Sequence, residues 1–124
     1  MTRIFILCGL IIAAGFAAII WARSGPEVYG QPFKGFQATN ITEVVSKPEL
    51  FLDKDIRLEG SITRQCPASG CWFYITDDKG TMRAEFANTA PKLPQRKGRI
   101  AVVEGRLMKS GEGFTLIGSS VEFR

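Results

Sequence analysis

The sequence predicts an all-β fold, a small Greek-key barrel closed by five strands and preceded by a short helix. Five segments between residues 55 and 123 are apolar or alternate apolar and polar side chains, and turn residues bound each of them. The first and fourth segments carry a glycine near the middle, Gly60 and Gly105, where a strand of a small barrel must bend sharply. A five-stranded sandwich is the alternative arrangement of the same strands.

The strand pattern is clearest in residues 55–64, where apolar residues and glycine face one side and polar residues the other. Residues 77–80, Asp-Asp-Lys-Gly, predict a hairpin turn in which Gly80 adopts a left-handed conformation. Residues 88–98 contain two prolines and predict an irregular connection in place of a helix. This is the pattern of an OB-fold. The remaining strands are predicted at residues 72–76, 81–87, 100–108 and 114–123.

A short helix is predicted before the first strand. Asn40 is a suitable N-cap, and Glu43 follows it at the capping-box spacing. Pro48 restricts the helix to short pieces. Its predicted apolar side consists of Val44, Val45, Leu50 and Phe51.

The N-terminus carries a candidate membrane span. Residues 4–21 form eighteen consecutive positions without a charge, which as a helix rise about 27 Å, enough to cross a hydrocarbon core. Ile20-Trp21-Ala22 is a poor cleavage site, so we favour an uncleaved signal-anchor over a removed signal peptide. Trp21 would then lie at the membrane interface.

The orientation of this span follows from its flanking charges. Arg3 and the free amine flank one end of the span, and Arg23 flanks the other. Because positive charge is enriched on the cytoplasmic side, these charges give a slight preference for a cytoplasmic N-terminus. The remainder of the chain is then expected outside the cytoplasm. The predicted organisation is a signal-anchor over residues 1–22, a linker packing on the domain over 23–39, and the OB-fold domain over 40–124.

The net charge does not require a polyanionic partner. The whole chain has 16 basic and 12 acidic residues, and without Arg3 and Arg23 fourteen basic residues remain. Between residues 92 and 109 the basic residues face a single acid, Glu104. This basic patch is either a solvated surface or a docking site for anionic lipid headgroups or an acidic partner. Its central members are Lys92, Arg96, Lys97 and Arg99.

Cys66 and Cys71 lie in a predicted tight turn that also contains Pro67 and Gly70. Three interpretations are open: a structural disulfide, a redox-active dithiol, and a pair of thiolate ligands for a soft metal. The disulfide is favoured, because closing so short a loop in an oxidising compartment stabilises a small domain by about 2 kcal/mol. Cys8, within the apolar run, is expected to be a small buried hydrophobe.

A metal site at these cysteines is restricted by composition. The chain contains no histidine, and a tetrahedral zinc or iron–sulfur site needs about four ligands. Only Cu(I), or a site shared with a partner, fits Cys66 and Cys71, with Met82 or Met108 as a candidate third ligand.

The predicted binding face lies beside the cysteine loop. OB-folds bind through the loop between their first two strands and the face of strands two and three. Alternation places Trp72 and Tyr74 on one side of the second strand, and Phe73 and Ile75 on the other. We expect Trp72 to be largely buried against the loop. If exposed, it would form a binding face together with Tyr74, Arg64 and Arg83.

Several short motifs together resemble a bacterial family of small exported OB-fold domains of unknown function. The resemblance covers roughly residues 28–107, and its most specific part is Cys66 followed by Gly70-Cys71-Trp72. It implies an extracytoplasmic OB-like barrel, here on a single span of the bacterial inner membrane with its C-terminal domain in the periplasm, and it implies no activity. The architecture alone is also similar to the membrane-tethered haem chaperone of cytochrome c maturation, which depends on a histidine that this chain lacks. The other motifs are Val28-Tyr29-Gly30-Gln31-Pro32, Lys47-Pro48-Glu49, Arg57-Leu58-Glu59-Gly60 and Val102-Val103-Glu104-Gly105.

The sequence favours a non-enzymatic accessory protein that docks on an envelope protein or membrane complex. It contains no histidine for acid–base chemistry, no nucleophile motif and no phosphate-binding loop, and no cofactor is predicted. The first alternative is a chaperone for Cu(I) or a cofactor that uses Cys66 and Cys71. The second is single-stranded nucleic-acid binding, with Trp72, Tyr74 and Phe86 stacking on bases. The predicted export and the near-neutral domain count against a nucleic-acid partner.

Overall fold

A computed structural model describes residues 26–124 of the chain. The predicted signal-anchor, residues 1–22, lies outside the described residues. Over residues 26–124 no helix has the length and apolar character needed to cross a membrane.

Five strands form the barrel, and two further strands of four and two residues lie beside it. All five predicted strands are present, with bounds close to those predicted. The two short strands were not predicted, because four and two residues are too few to show a pattern. In chain order the elements are β1 (Glu27–Gly30), β2 (Gln37–Ala38), α1 (Ile41–Ser46), a 3-10 helix (Pro48–Leu50), β3 (Asp55–Gln65), β4 (Trp72–Thr76), β5 (Thr81–Glu85), β6 (Ile100–Ser110) and β7 (Gly113–Phe123).

The sheet closes on itself. β3 pairs with β4 and β6, β4 pairs with β5, and β7 pairs with β6. A parallel pairing between β5 and β7 completes the ring. The OB-like barrel is thereby confirmed, and the sandwich alternative is wrong.

β3 and β6, two of the three eleven-residue strands, change their pairing near the predicted glycines. β3 pairs with β6 as far as Ser61 and with β4 from Ser61 onward, so it changes partner immediately after Gly60. β6 shifts register against β7 between Glu104 and Gly105. These irregularities let long strands take part in two walls of one barrel.

Aromatic rings fill the centre of the barrel. The ring of Phe73 stacks on that of Phe86 at 5.5 Å between centroids, and Phe123 packs against Phe73 at 6.1 Å. All three side chains are fully buried. Phe86 was a candidate base-stacking residue, but its burial in the core removes it from any binding face.

The helix α1 covers one end of this core with Ile41 and Val44, both fully buried. The predicted N-cap is confirmed, since the Asn40 side chain accepts a hydrogen bond from the backbone N–H of Glu43 at 2.7 Å. The predicted apolar side is wrong in part. Val45 is 45% exposed, because a helix of six residues packs only one side against the barrel, and Leu50, at the end of the 3-10 helix that follows, is 55% exposed.

The β4–β5 hairpin contacts α1 through Asp77 and Gly80. The left-handed conformation predicted for Gly80 is wrong, since Gly80 does not have a positive φ. A Cβ atom there would lie 2.8 Å from the backbone nitrogen of Thr42, so the close approach of α1 is what requires glycine. Asp77 accepts hydrogen bonds from the backbone N–H and the hydroxyl of Thr42, at 3.0 and 2.6 Å.

Residues 26–38 run along the outside of the barrel. β1 pairs with the C-terminal half of β7, and β2 pairs in parallel with the start of β3. Between these strands, the fully buried carboxylate of Glu104 accepts hydrogen bonds from the backbone N–H groups of Lys34 and Phe36 at 2.6 and 2.8 Å. The sequence indicated Glu104 as the acid facing the basic patch and as part of a motif of the resembled family, and its burial was not predicted.

Candidate functional site

The outer face of strands β3, β4 and β5 carries a cluster of two aromatic and two cationic side chains, which we call the Trp72 face: Arg64, Trp72, Tyr74 and Arg83. The guanidinium carbon of Arg83 lies 4.8 Å from the centroid of the Trp72 ring, and that of Arg64 lies 5.8 Å from it. The rings of Trp72 and Tyr74 meet edge to face at 6.0 Å. The four predicted binding-face residues therefore lie together.

Strand register explains this arrangement. Tyr74 on β4 lies directly opposite Arg64 on β3 and Arg83 on β5, so the three side chains form one row across the sheet. Trp72 lies two residues away on the same side of β4, opposite Glu85. Phe73 and Ile75 point into the core, as the alternation predicted.

Trp72 is partly buried, neither enclosed in the core nor fully exposed, and the side chains of Arg64 and Arg83 lie over its ring. The remaining members of the Trp72 face are partly buried or exposed. Tryptophan, tyrosine and arginine are the residue types enriched at the energetic centres of protein interfaces.

The cysteine loop, residues 66–71, joins this face at its edge. The backbone N–H of Cys66 bonds to the carbonyl of Trp72 at 3.0 Å, and the N–H of Gly70 bonds to the carbonyl of Cys66 at 3.1 Å. The predicted tight turn between β3 and β4 is thus present. A second contact fixes its outer side, where the N–H of Leu93 donates to the carbonyl of Ser69 at 2.8 Å.

Gln65 anchors the loop, and sequence reasoning did not identify it. Its buried side-chain nitrogen donates to the carbonyls of Gly70 and Pro94 at 3.2 and 2.9 Å, and its oxygen accepts from the N–H of Arg96 at 2.7 Å. These bonds tie the loop to the connection between β5 and β6. Alternation along β3 places residue 65 on the outer side, and the register shift between Ile62 and Arg64 turns Gln65 inward, so the sequence pattern carried no signal for it.

Both cysteines of the loop are free thiols in the structure, so the predicted disulfide is not formed. The Ser69 hydroxyl lies between them, 3.7 Å from the Cys66 sulfur and 3.1 Å from the Cys71 sulfur. The backbone N–H and hydroxyl of Ser69, with the N–H groups of Ala68 and Gly70, lower the pKa of Cys66 from 9.0 to about 7 against a smaller opposing effect of burial. Cys66 is therefore substantially thiolate at neutral pH.

The loop does not offer a complete metal site by itself. Among residues 26–124 there is no group of three or more histidine, cysteine, aspartate or glutamate side chains able to hold an ion. Met82 is buried in the core, and Met108 lies on the exposed side of β6. Within residues 26–124, Cys66 and Cys71 are the only cysteines that could bind a Cu(I) ion as thiolates.

Two members of the predicted basic patch are engaged in contacts within the domain. Arg96 forms a bidentate ion pair with Glu27 on β1, at 2.9 and 3.0 Å. Hydrogen bonding to Arg96 is the main reason that the pKa of Glu27 is lowered. Arg99 donates to the carbonyl of Arg124 at 2.7 Å. Lys92 and Lys97 are exposed. The patch thus holds β1 and the C-terminus as well as contributing positive charge.

A separate open groove lies between β2, α1 and the start of β3, with a volume of about 500 Å³. Its wall includes Asn40 and Glu43, which already bond to each other across the N-cap. Its lining lacks the cluster of aromatic and cationic side chains found on the Trp72 face, so we do not place the candidate site there.

No family model and no curated protein matches the chain. Among solved structures it is similar to the hypothetical protein YgiW from E. coli, with a TM-score of 0.54 and 14% identity over 74% of this chain and 100% of that one. It is also similar to part of an aspartyl-tRNA synthetase from Leishmania major, with a TM-score of 0.56 and 14% identity over 89% of this chain. The chain spans about a quarter of that synthetase, 26% of its length. These likenesses establish a shared OB-like fold.

Proposed function

We propose that this chain is a non-enzymatic binding protein, a membrane-anchored OB-fold domain that docks through the Trp72 face on an envelope protein or membrane complex. The observation that carries the proposal is the placement of Trp72 and Tyr74 with Arg64 and Arg83 on the outside of the barrel. This is the surface through which OB-folds commonly bind.

The chemistry of the face favours a partner with acidic and apolar side chains. A guanidinium group lying over an aromatic ring keeps its edge N–H groups free to bind carboxylates. The rings supply rigid apolar area with little conformational entropy to lose on binding. The exposed edge of the cysteine loop extends this surface.

Photo-cross-linking in native membranes tests the docking site. A photoreactive amino acid in place of Tyr74 is expected to give one dominant cross-linked product, identified by mass spectrometry, and Trp72→Ala is expected to reduce it about tenfold, as loss of an interface hot spot does. The matched control places the photoreactive group at Leu50, which is exposed in the 3-10 helix beside α1, at the end of β4 away from Trp72. The proposal fails if both positions give the same products or if Trp72→Ala leaves the yield unchanged in a folded protein.

The location of the domain is a separate part of the proposal, namely a single span in the bacterial inner membrane with the barrel in the periplasm. It is supported by the eighteen-residue apolar run and by the motif resemblance. A periplasm-dependent reporter fused after Arg124 should be active, and the chain should migrate at uncleaved length in the membrane fraction. An active cytoplasm-dependent reporter would contradict it.

Single-stranded nucleic-acid binding is a second candidate, favoured by the same four side chains. Aromatic rings can stack on bases while arginines contact phosphates, and one structural neighbour is a part of an aminoacyl-tRNA synthetase. Fluorescence anisotropy with labelled single-stranded oligonucleotides distinguishes the two candidates. Binding that weakens with salt and is lost in Trp72→Ala would favour nucleic acid over a protein partner.

A further inference from the structure

We propose that Cys66 and Cys71 form a redox-active pair that exchanges disulfides with a partner polypeptide, with Cys66 as the attacking thiol and Cys71 as the resolving thiol. This goes beyond docking, because it assigns a stoichiometric chemical step to the cysteine loop. It does not depend on the Trp72 face having a partner.

The geometry makes the two thiols a pair. Both sulfurs contact the same hydroxyl group, that of Ser69, and both side chains are only partly buried. The loop is fixed by hydrogen bonds from the Gln65 side chain to the Gly70 carbonyl and from the Leu93 N–H to the Ser69 carbonyl. A small disulfide can therefore reach the sulfurs while the backbone around them stays ordered.

The geometry also makes the pair asymmetric. Cys66 begins the turn, and the backbone N–H groups of the residues that follow it, chiefly Ser69, act on its sulfur together with the Ser69 hydroxyl. They stabilise the thiolate, with the result that the pKa of Cys66 falls to about 7. A thiol whose pKa is near the ambient pH is the most effective attacker in disulfide exchange, and stabilising its thiolate also makes the oxidised pair easier to reduce.

The exchange balances without a further reagent. The Cys66 thiolate attacks one sulfur of the partner's disulfide, forming a mixed disulfide and releasing the other partner sulfur as a thiolate that takes up a proton. Cys71 then loses its proton and attacks the Cys66 sulfur, releasing the second partner thiolate. The pair has lost two electrons and two protons, and the partner disulfide has become a dithiol. The reverse sequence oxidises a partner dithiol.

Oxidised glutathione is a suitable probe for the test. The full chain is used in detergent with Cys8→Ser, so that only the loop thiols react, and Cys71→Ser and Cys66→Ser are compared in that background. At pH 7 a thiol with a pKa of about 7 is half ionised, whereas at the ordinary value of 9.0 about one hundredth is. A thiolate with a lower pKa is also a weaker nucleophile, which offsets most of the gain in thiolate fraction. Cys66 is therefore expected to react roughly five times faster in the folded than in the denatured protein.

The variants separate the two roles. Cys71→Ser should accumulate a mixed disulfide at Cys66, whereas the protein with both loop cysteines should release glutathione and form the internal disulfide. Alkylation of Cys66 should be half-maximal near pH 7, and Ser69→Ala should move this midpoint upward because one donor to the thiolate is lost. These shifts would not arise from a cysteine that serves only in packing.

Three results would overturn the proposal. Cys66 could react no faster in the folded protein than in denaturant, or the mixed disulfide could persist when Cys71 is present. Alternatively, the oxidised pair could stay oxidised in an excess of reduced glutathione, which is the behaviour of a structural disulfide.

Discussion

At the scale of single residues, the cysteine loop depends on Gly70, whose backbone packs closely against that of Leu93. Gly70 has φ +71°, and a Cβ atom there would collide with the carbonyl oxygen of Leu93. Gly35 has φ +74° with nothing within 4 Å of the equivalent position, so it is a matched control. We expect Gly35→Ala to cost about 1 kcal/mol for the left-handed conformation alone, and Gly70→Ala about 3 kcal/mol. Equal losses in urea unfolding would mean that the contact with Leu93 is not a constraint.

The buried carboxylate of Glu104 makes a second prediction at this scale. Glu104→Gln keeps the shape but turns one of two acceptors into a donor that faces a backbone N–H, so about 2 kcal/mol of stability should be lost. Glu112→Gln, in the exposed turn before β7, should leave the free energy of unfolding unchanged within about 0.5 kcal/mol. Chemical denaturation of both variants checks this. A similar effect in both would show that the hydrogen bonds from Lys34 and Phe36 to Glu104 add no stability.

At the scale of elements, the β4–β5 hairpin and α1 are joined by a carboxylate whose charge matters. Burial opposes ionisation of Asp77, but hydrogen bonds from Thr42 and Gly80 outweigh it, and the pKa of Asp77 is lowered from 3.8. The ionised form is thus favoured in the folded state. Its contribution is complete above the unfolded pKa of about 4 and disappears as the pH falls through the lowered folded value.

Asp77→Asn should therefore destabilise the protein at pH 7 and flatten the fall of stability below about pH 4. The measurement is the midpoint of urea unfolding across the acid range for both proteins. Asp78→Asn is the control, because Asp78 is the next residue in the chain and its side chain is exposed. A parallel pH profile in Asp77→Asn and the parent protein would contradict the assigned role.

The strands and the direction of their side chains could be predicted because alternation is a local signal, as in Trp72 to Ile75. What could not be predicted depends on distant residues. Glu104 bonds to Lys34, seventy positions away, and Gln65 reaches the connection near Pro94. Gly80 shows the same limit, since a hairpin pattern predicts a turn conformation but not the approach of a helix. Within the Trp72 face, Trp72, Tyr74 and Arg83 follow from alternation and hairpin order, whereas Arg64 reaches the outer side through the register shift after Ile62, which alternation does not predict.

At the scale of the whole molecule, closure of the barrel brings Gly118 of β7 against the ring of Phe86. A methyl group at this position would displace a ring that stacks on Phe73 in the centre of the core. We expect Gly118→Ala to lower the free energy of unfolding by about 3 kcal/mol while the transition stays cooperative. Gly113→Ala, where the nearest atom is 3.9 Å away, should cost under 1 kcal/mol in the same thermal or urea measurement. If the two variants unfold at the same midpoint, the core tolerates movement of Phe86.

The hydrogen bonds that Glu104 accepts from Lys34 and Phe36 have a consequence for amide hydrogen exchange in this part of the molecule. Lys34 and Phe36 lie outside the strands, yet their amide protons are held by an acceptor that is fully buried within β6. Amides in such a segment ordinarily exchange with solvent through small local openings, whereas these two can exchange only when the segment lifts from the barrel. In deuterated water they should therefore retain their protons far longer than the amide of Gly35 between them, marking the leading segment as part of the same cooperative unit as the sheet.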